Sequence, residues 1–229
     1  MQFKLFRTAL PLLALVSLLT GCMTSKKLDG MIREHYNNEF PKLNNRTNTS
    51  SIQVKSSIAD TGNLHSRSTQ HTEKFLPLLL YWRSHYVLSS RINGRIPYTL
   101  IANSAQQQAR NRKLEEKLAG RYLELTVNQL PQAFSLRYEE QAIFLLISSI
   151  TWAKIYFLPT KNQLQVSYRL LNGNDVLKSG TVTLEDPNKL VPVNQYKSIN
   201  SAVDDYLTMY DSYMKELGKQ LVDKLAEQL

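Results

Sequence analysis

The pattern of apolar and polar positions in the first half of the chain predicts a helix, a strand and a long connection. The helix is indicated by apolar residues that recur at every fourth position before Pro41: Leu28, Ile32, Tyr36 and Phe40. Residues 51–58 alternate between apolar and polar side chains, which is typical of a strand with one buried face. Residues 60–74 are polar without an apolar period, so we expect a long connection there.

A second strand and a second helix are predicted before Gly120. Aromatic and branched residues favour a strand over residues 78–88, with Arg83 and His85 on a face that meets water or a partner. Residues 98–119 predict a helix that ends before Gly120, because glycine accepts the left-handed conformation that follows many helices. The apolar stripe of this helix is weak, so we expect it to pack at its two ends only.

From Arg121 onward the pattern is that of strands. Residues 123–127 and 134–138 alternate, and residues 164–170 and 176–184 form a hairpin around Asn172-Gly173-Asn174. Residues 142–158 are apolar on both faces and approach the length of a membrane span. Because Lys154 interrupts this run and branched residues are frequent in it, a central strand buried on both sides is favoured.

The chain closes with its most regular helix. Apolar residues three and four apart form one stripe about eight turns long: Val203, Leu207, Tyr210, Met214, Leu217, Leu221, Leu225 and Leu229. Ser201 with Asp204 predicts a capping box, and the stripe is expected to cover a sheet rather than form a coiled coil. The predicted fold is α+β: a single, largely antiparallel sheet with helices packed on one face and a long C-terminal amphipathic helix.

The first 22 residues have the three parts of an export signal. Lys4 and Arg7 form a basic start, residues 9–20 form an apolar core, and small or uncharged residues precede Cys22. This core is too short for a transmembrane helix, which needs about 20 residues. An ordinary secretory signal with an incidental cysteine is one interpretation.

The tetrapeptide Leu19-Thr20-Gly21-Cys22 resembles the lipobox of bacterial lipoproteins. The resemblance implies cleavage before Cys22, attachment of a diacylglycerol to its thiol, and acylation of the new amino terminus with a chain such as palmitate. Two or more acyl chains hold a protein firmly on a bilayer. Met23, in place of aspartate, resembles the outer-membrane sorting pattern of enteric lipoproteins, so we expect an outer-membrane protein whose domain faces the periplasm.

Length and cysteine count define the domain organisation. Residues 1–21 are expected to be the signal peptide, residues 22–50 a polar tether with a short helix, and residues 51–229 a single α+β domain. Cys22 is the one cysteine of the chain, so a disulfide framework and thiol-based metal chemistry are excluded.

The net charge is positive and concentrated in the middle of the chain. Loss of Lys4 and Arg7 lowers the formal charge from +9 to +7, and residues 75–121 carry eight Lys or Arg against two Asp or Glu. An exported lipoprotein rarely meets nucleic acid, so an anionic lipid, lipopolysaccharide or an acidic protein is the expected partner.

Four of these cations are spaced three, four and four residues apart, which would place them on one face of a helix. They are Arg110, Lys113, Lys117 and Arg121, here called the positive ridge. An anionic head group or an acidic partner could dock there, and an ordinary solvated face is the alternative.

Motifs for catalysis or metal binding are weak. Asp60-Thr61-Gly62 matches the triplet of retropepsin-like proteases, but polar residues follow it and a turn explains it better. Ser212 and Lys215 match only part of a serine–lysine motif, and the histidines, including His65 and His71, lack a metal-ligand spacing. We therefore expect no catalytic residue, no metal and no cofactor.

The order of elements across residues 51–229 resembles that of the auxiliary lipoproteins of ABC-type envelope transporters, in which a strand, a helix, antiparallel strands and a terminal helix follow a lipobox. The resemblance implies a non-catalytic adaptor or binding component of a transport or assembly complex. The alternative is an envelope-directed hydrolase or a ligand-binding lipoprotein, for which Asp60 is the one nameable catalytic candidate.

Overall fold

The computed structural model describes residues 23–44, 51–58, 62–75, 81–144, 149–160, 163–185, 190–194 and 197–228. Four helices lie in these ranges: α1 (Ser25–His35), α2 (Arg95–Asn111), α3 (Leu114–Leu118) and α4 (Ile199–Gln228). Thr24 caps α1 by accepting a hydrogen bond from the Lys27 amide at 3.2 Å, and Asn37 and Asn38 leave the helix with positive φ. The predicted short helix is therefore present, but it ends at His35, so Tyr36 and Phe40 lie beyond it and Pro41 does not end it.

The strands form two sheets rather than the single sheet predicted. Their bounds are β1 (Ile52–Ser56), β2 (Ser66–Phe75), β3 (Tyr81–Ile92), β4 (Tyr122–Gln129), β5 (Ala133–Phe144), β6 (Ser149–Pro159), β7 (Gln163–Asn172), β8 (Asp175–Glu185) and β9 (Val191–Pro192). One sheet has the order β1-β4-β7-β8 and the other β2-β3-β5-β6-β9, and all neighbours are antiparallel except β1 and β4. The α+β class and the long terminal helix are confirmed.

The chain changes sheet between β4 and β5. Leu130 is buried there, and the hydroxyl of Tyr210 on α4 donates a hydrogen bond to the carbonyl oxygen of Pro131 at 2.7 Å. Alternation in the sequence shows which side chains of a strand are buried, but it does not show which strands pair. The prediction of one sheet failed for that reason.

A single hydrophobic core joins both sheets to the helices. Tyr206 on α4 stacks on Phe157 of the five-stranded sheet with ring centroids 4.3 Å apart, and Lys224 near the other end of α4 donates to the carbonyl oxygen of Thr183 on β8 at 3.3 Å. The stripe of α4 is buried from Val203 to Leu225, while Leu229 lies outside the described residues. The helix starts earlier than predicted, because Ser198 rather than Ser201 accepts the capping hydrogen bond.

Helix α2 packs along its whole length, not at its ends only. Small residues, Ala102, Ala105 and Ala109 among them, are buried. A Cβ atom placed on Gly218 of α4 would lie 2.5 Å from the carbonyl oxygen of Ile101, so the two helix backbones are in close contact. Small side chains carry little hydropathy, so the stripe seemed weak in the sequence although it forms an extensive contact with α4.

Three other predicted elements are corrected. Most of the connection expected over residues 60–74 is strand β2, and the helix expected over residues 98–119 is divided at Lys113, whose φ of 51° is left-handed. The strand expected over residues 142–158 is the end of β5 and most of β6, two antiparallel neighbours with Phe144 opposite Ser149. Exposed Ile150 and Trp152 show that β6 is not buried on both faces.

Candidate functional site

The five-stranded sheet has one face that the helices do not cover along β3 and β5. Leu88 and Ile92 of β3 are buried in the core, whereas Arg83, His85 and Arg91 occupy the alternate positions, which point to the opposite side. We call this opposite side the outer face. It also carries Arg67, His71 and Glu73 of β2, Arg137 and Glu139 of β5, and Lys154 and Tyr156 of β6.

The strand register brings the cations of the outer face together. Arg67 lies opposite Arg91, His85 lies in one row with Glu139 and Lys154, and Val87 lies in one row with Arg137 and Tyr156. Side chains that face each other across antiparallel strands are about 5 Å apart at Cβ. The face therefore holds five cationic side chains, Arg67, Arg83, Arg91, Arg137 and Lys154, against the carboxylates Glu73 and Glu139.

Glu139 is the centre of a polar cluster on this face. The Tyr156 hydroxyl donates a hydrogen bond to Glu139 Oε1 at 2.6 Å, and His85 Nδ1 lies 3.6 Å from the same oxygen. Burial, followed by the hydrogen bond to Glu139, raises the pKa of Tyr156, while Arg137 acts in the opposite direction. The tyrosine therefore stays protonated and donates to the carboxylate, which fixes both side chains across two strands.

The arginines retain unused hydrogen-bonding capacity. The Nε atoms of Arg83 and Arg137 are buried and have no hydrogen-bond partner among the described residues. An arginine side chain presents five N–H donors in a planar arrangement that suits carboxylate and phosphate groups. Both side chains are half-buried, so an anionic group approaching the outer face would meet their positive charge, whereas the buried Nε atoms lie out of its reach.

The positive ridge does not form one helix face. Arg110 lies at the end of α2, Lys113 and Lys117 lie at the start and in the last turn of α3, and Arg121 follows α3. Arg121 Nε donates to the Leu118 carbonyl oxygen at 2.8 Å and its Nη2 to that of Lys117 at 3.1 Å. The left-handed Lys113 separates the four cations into two groups, so the geometric basis of the prediction was wrong, and their role in binding stays a prediction.

Two residues singled out in the sequence, Cys22 and Asp60, lie outside the described residues. Ser212 donates to the Thr208 carbonyl oxygen at 3.0 Å within α4. His65 is buried and stacks on Phe40 with ring centroids 4.3 Å apart, whereas His71 is exposed beside Glu73.

The described part of the chain holds no group of three or more His, Cys, Asp or Glu side chains that is placed to bind a metal ion. Within the same ranges, none of the helices combines the length and the hydropathy that crossing a bilayer requires.

A cavity of about 840 Å³ lies between the segment after α1 and the start of α2. Its lining includes Phe40, Lys42, Ile58, Arg95 and Tyr98. The guanidinium carbon of Arg95 lies 4.5 Å from the centre of the Phe40 ring, on which His65 also stacks. Its volume is in the range of small-molecule sites, about 300–1,000 Å³.

The described segment of residues 23–44 is held on the domain. Met23 is buried, Asp29 of α1 accepts hydrogen bonds from Ser66 at 2.5 Å and Ser68 at 2.6 Å, and His35 Nδ1 lies 2.7 Å from Asp204 Oδ1 on α4. In the described residues 23–44, the expected polar tether is thus a packed part of the structure.

Comparisons with known proteins give no relative for this chain. No protein-family model matches it, and neither a curated protein nor a solved structure does.

Sequence reasoning found part of the outer face. It placed Arg83 and His85 on a side of β3 that meets water or a partner, and the structure confirms that they share a half-exposed face. It missed Arg67 because β2 is polar on both faces, one packed by Asp29 and the other open, so no alternation marks the strand. In β5, the charged residues Arg137 and Glu139 alternate with Leu136 and Tyr138, and this pattern could have extended the predicted site to β5.

Proposed function

We propose that this protein is a membrane-anchored lipoprotein of the bacterial envelope that works as a non-catalytic adaptor in a transport or assembly complex. Its lipid would be carried by Cys22 in the outer membrane, with the domain in the periplasm. The observation that carries the adaptor role is the outer face, where five cations from four neighbouring strands form a broad surface complementary to an acidic partner. The lipobox resemblance supports the anchor.

Site-specific photocrosslinking in cells tests the outer face. A photoreactive residue at position 67 or 154 is expected to give a discrete crosslinked band, because Arg67 and Lys154 are exposed at opposite edges of the face. The double variant Arg67→Glu with Lys154→Glu is expected to weaken capture of the crosslinked partner roughly tenfold at low salt, and less at high salt.

The positive ridge provides the matched control. Lys113→Glu with Lys117→Glu changes the net charge by the same amount at exposed positions outside the outer face. Loss of capture in this variant but not in the outer-face variant would favour the ridge instead. Equal losses in both would indicate a nonspecific effect of net charge.

The anchor is tested separately by mass spectrometry of the purified protein. The expected product begins at Cys22 and carries three acyl chains, and Cys22→Ser is expected to abolish both processing and stable membrane retention. An intact amino terminus on the wild-type protein would contradict the anchor without bearing on the outer face.

A ligand-binding lipoprotein is the second candidate, favoured by the 840 Å³ cavity beside Phe40 and Arg95. Native mass spectrometry of the protein extracted from envelopes would show a co-purifying small molecule, and Phe40→Ala would be expected to lose it.

The hydrolase alternative has Asp60 as its catalytic candidate. If the Asp60→Ala variant were fully functional in cells, no named residue would support hydrolysis.

A further inference from the structure

Two connections leave the five-stranded sheet at the same end. Strand β2 ends at Phe75 and β3 begins at Tyr81, while β5 ends at Phe144 and β6 begins at Ser149. Because β3 pairs antiparallel with both β2 and β5, and β6 pairs antiparallel with β5, these strand ends lie side by side.

The outer face becomes apolar and aromatic at this end. The last row that pairs β3, β5 and β6 is Tyr81, Ile143 and Ile150, and the next row of this face contains Trp152 opposite Gln141. Ile150 is 55% exposed and Trp152 38% exposed, although both are large hydrophobic side chains. We call these four residues, Tyr81, Ile143, Ile150 and Trp152, the sheet tip.

The sequence that joins the strands at this end is unusual for hairpin connections. Residues 76–80 are Leu-Pro-Leu-Leu-Leu, and residues 145–148 are Leu-Leu-Ile-Ser. Connections between strands normally consist of polar and turn-forming residues. Their structure lies outside the described residues, so the sheet tip is defined by its four described residues alone.

Met23, the residue after the proposed lipid attachment point, lies beside the middle of β3. The Tyr86 hydroxyl on β3 donates a hydrogen bond to the Met23 carbonyl oxygen, and Met23 follows Cys22 directly, about 3.8 Å away between Cα atoms. From Met23, α1 runs away from the sheet tip, because Asp29 lies at Ser66 and Ser68, which pair with Ile92 and Ser90. Tyr81 is five residues beyond Tyr86, about 17 Å along the strand.

Positive charge is also present on the outer face close to the sheet tip. Arg83 lies in the row of Trp152 with Gln141 between them, and the next row carries Lys154 together with His85, Glu139 and Glu73. Trp and Tyr side chains favour the boundary between lipid and water, and Lys and Arg favour the adjacent anionic head groups. An acidic protein would complement the cations, but it would leave the exposed aliphatic side chains without a suitable contact.

We propose that the sheet tip enters the interfacial region of the bilayer beside the lipid anchor, so that the domain is held on the membrane at two points in a fixed orientation. The proposal rests on the proposed function for the anchor and adds a second, protein-made contact. The outer face would then stand nearly upright above the membrane, with Arg83 and Lys154 closest to the lipid surface and Arg67 and Arg91 farthest from it.

Depth-dependent fluorescence quenching tests this contact with the lipidated full-length protein. The chain has two tryptophans, so Trp82→Phe leaves Trp152 as the one reporter. In vesicles of phosphatidylcholine, replacing half of the lipid with phosphatidylcholine brominated on its acyl chains is expected to reduce Trp152 emission at least twofold. Adding Ile150→Glu is expected to reverse most of this quenching.

The hairpin of the other sheet offers a matched control. Leu177 is 52% exposed on β8, close to the C-terminal end of α4, where Lys178 donates to the Gln228 carbonyl oxygen. Leu177→Trp in a background of Trp82→Phe and Trp152→Phe is expected to show no quenching. Circular dichroism spectra that match the wild type establish that each variant is folded.

The outcomes separate the contact from the anchor. Protein that stays on the vesicles with unquenched Trp152 overturns the sheet-tip contact and leaves the anchor intact. Protein that washes off the vesicles overturns both. A blue shift of Trp152 that depends on protein concentration but not on bromine would overturn the proposal in favour of a second copy of the chain covering the tip.

Discussion

At the scale of single residues, two helical glycines differ in what surrounds them. A Cβ atom on Gly30 of α1 would meet nothing within 4 Å, whereas one on Gly218 of α4 would meet the Ile101 carbonyl oxygen at 2.5 Å and the Ser104 Cβ at 3.0 Å. Ser104 also donates its hydroxyl to the Lys215 carbonyl oxygen at 2.5 Å. Gly218 is therefore required by the closeness of α2 and α4, while Gly30 is not required by packing.

Replacing each glycine with alanine should have opposite effects. Gly218→Ala is expected to lower the free energy of unfolding by about 1–3 kcal/mol because the helices must move apart. Gly30→Ala is expected to raise it by about 0.5–1 kcal/mol, because alanine favours the helical backbone and has room for its methyl group. Urea unfolding followed by circular dichroism measures both, and a stabilised Gly218→Ala variant would contradict the close helix contact.

At the scale of elements, α1 is attached to α4 through a charged contact. His35 lies between two carboxylates of α4, with Nδ1 2.7 Å from Asp204 Oδ1 and Nε2 3.5 Å from Asp211 Oδ2. The Tyr36 hydroxyl also donates to Asp211 Oδ1 at 2.7 Å. Hydrogen bonding to Asp211, together with Asp204, raises the pKa of His35 above its ordinary 6.5 against the opposing effect of burial.

This raised pKa makes the α1–α4 contact dependent on pH. A histidine whose pKa is higher in the folded state adds stability that is complete below its unfolded pKa and is lost as the pH rises through its folded pKa. The wild type should therefore exceed His35→Gln in melting temperature by more at pH 6 than at pH 8.5. A difference that is constant over this range would show that the imidazole is not charged in the contact. Asp211→Asn removes one carboxylate beside His35, so the melting temperature of this variant should depend less on pH than that of the wild type.

The elements that the sequence predicted well have one buried and one open face. Strand β4 alternates cleanly, with Leu123, Leu125 and Val127 buried, and the β7–β8 hairpin has its expected turn, with Gly173 at a φ of 59°. Strand β2 was missed because its inward side is polar, packed by Asp29 rather than by apolar residues. Long-range contacts of this kind leave no periodicity in the chain.

The candidate site was predicted less completely than the fold. Arg83 and His85 were assigned to an open side of β3, but their neighbours on β2, β5 and β6 come from segments up to about 90 residues apart. Only the strand register brings Arg67, Arg137 and Lys154 onto that surface. The expected single helix face of the positive ridge is wrong for the complementary reason: regular spacing placed four cations on one face, but the left-handed Lys113 interrupts the helix.

At the scale of the whole molecule, α4 joins the two sheets into one unit. Its first half packs Tyr206 on Phe134 and Phe157 of the five-stranded sheet, and its second half reaches β8 through Lys224 and Thr183. The described core is a single cluster that includes residues of both sheets. The two sheets should accordingly unfold together, as the prediction of a single domain over residues 51–229 requires.

Shortening one buried side chain in the second half of α4 tests this coupling. Leu221 is fully buried, so Leu221→Ala is expected to cost about 2–5 kcal/mol. Both tryptophans belong to the five-stranded sheet, so their fluorescence reports on that sheet, while circular dichroism reports on all elements. The two signals are expected to shift together in urea. Separate transitions in the variant would contradict a single cooperative domain.

The meeting of α1 with α4 has a consequence for how the chain matures. His35 and Asp204, which are 169 positions apart, form a contact that is absent until the last helix has been synthesised and delivered. Contacts of such long sequence separation form late and slowly. Under the proposed export, this contact could form only after Asp204 had left the secretion channel, so the packing of α1 on α4 would follow translocation.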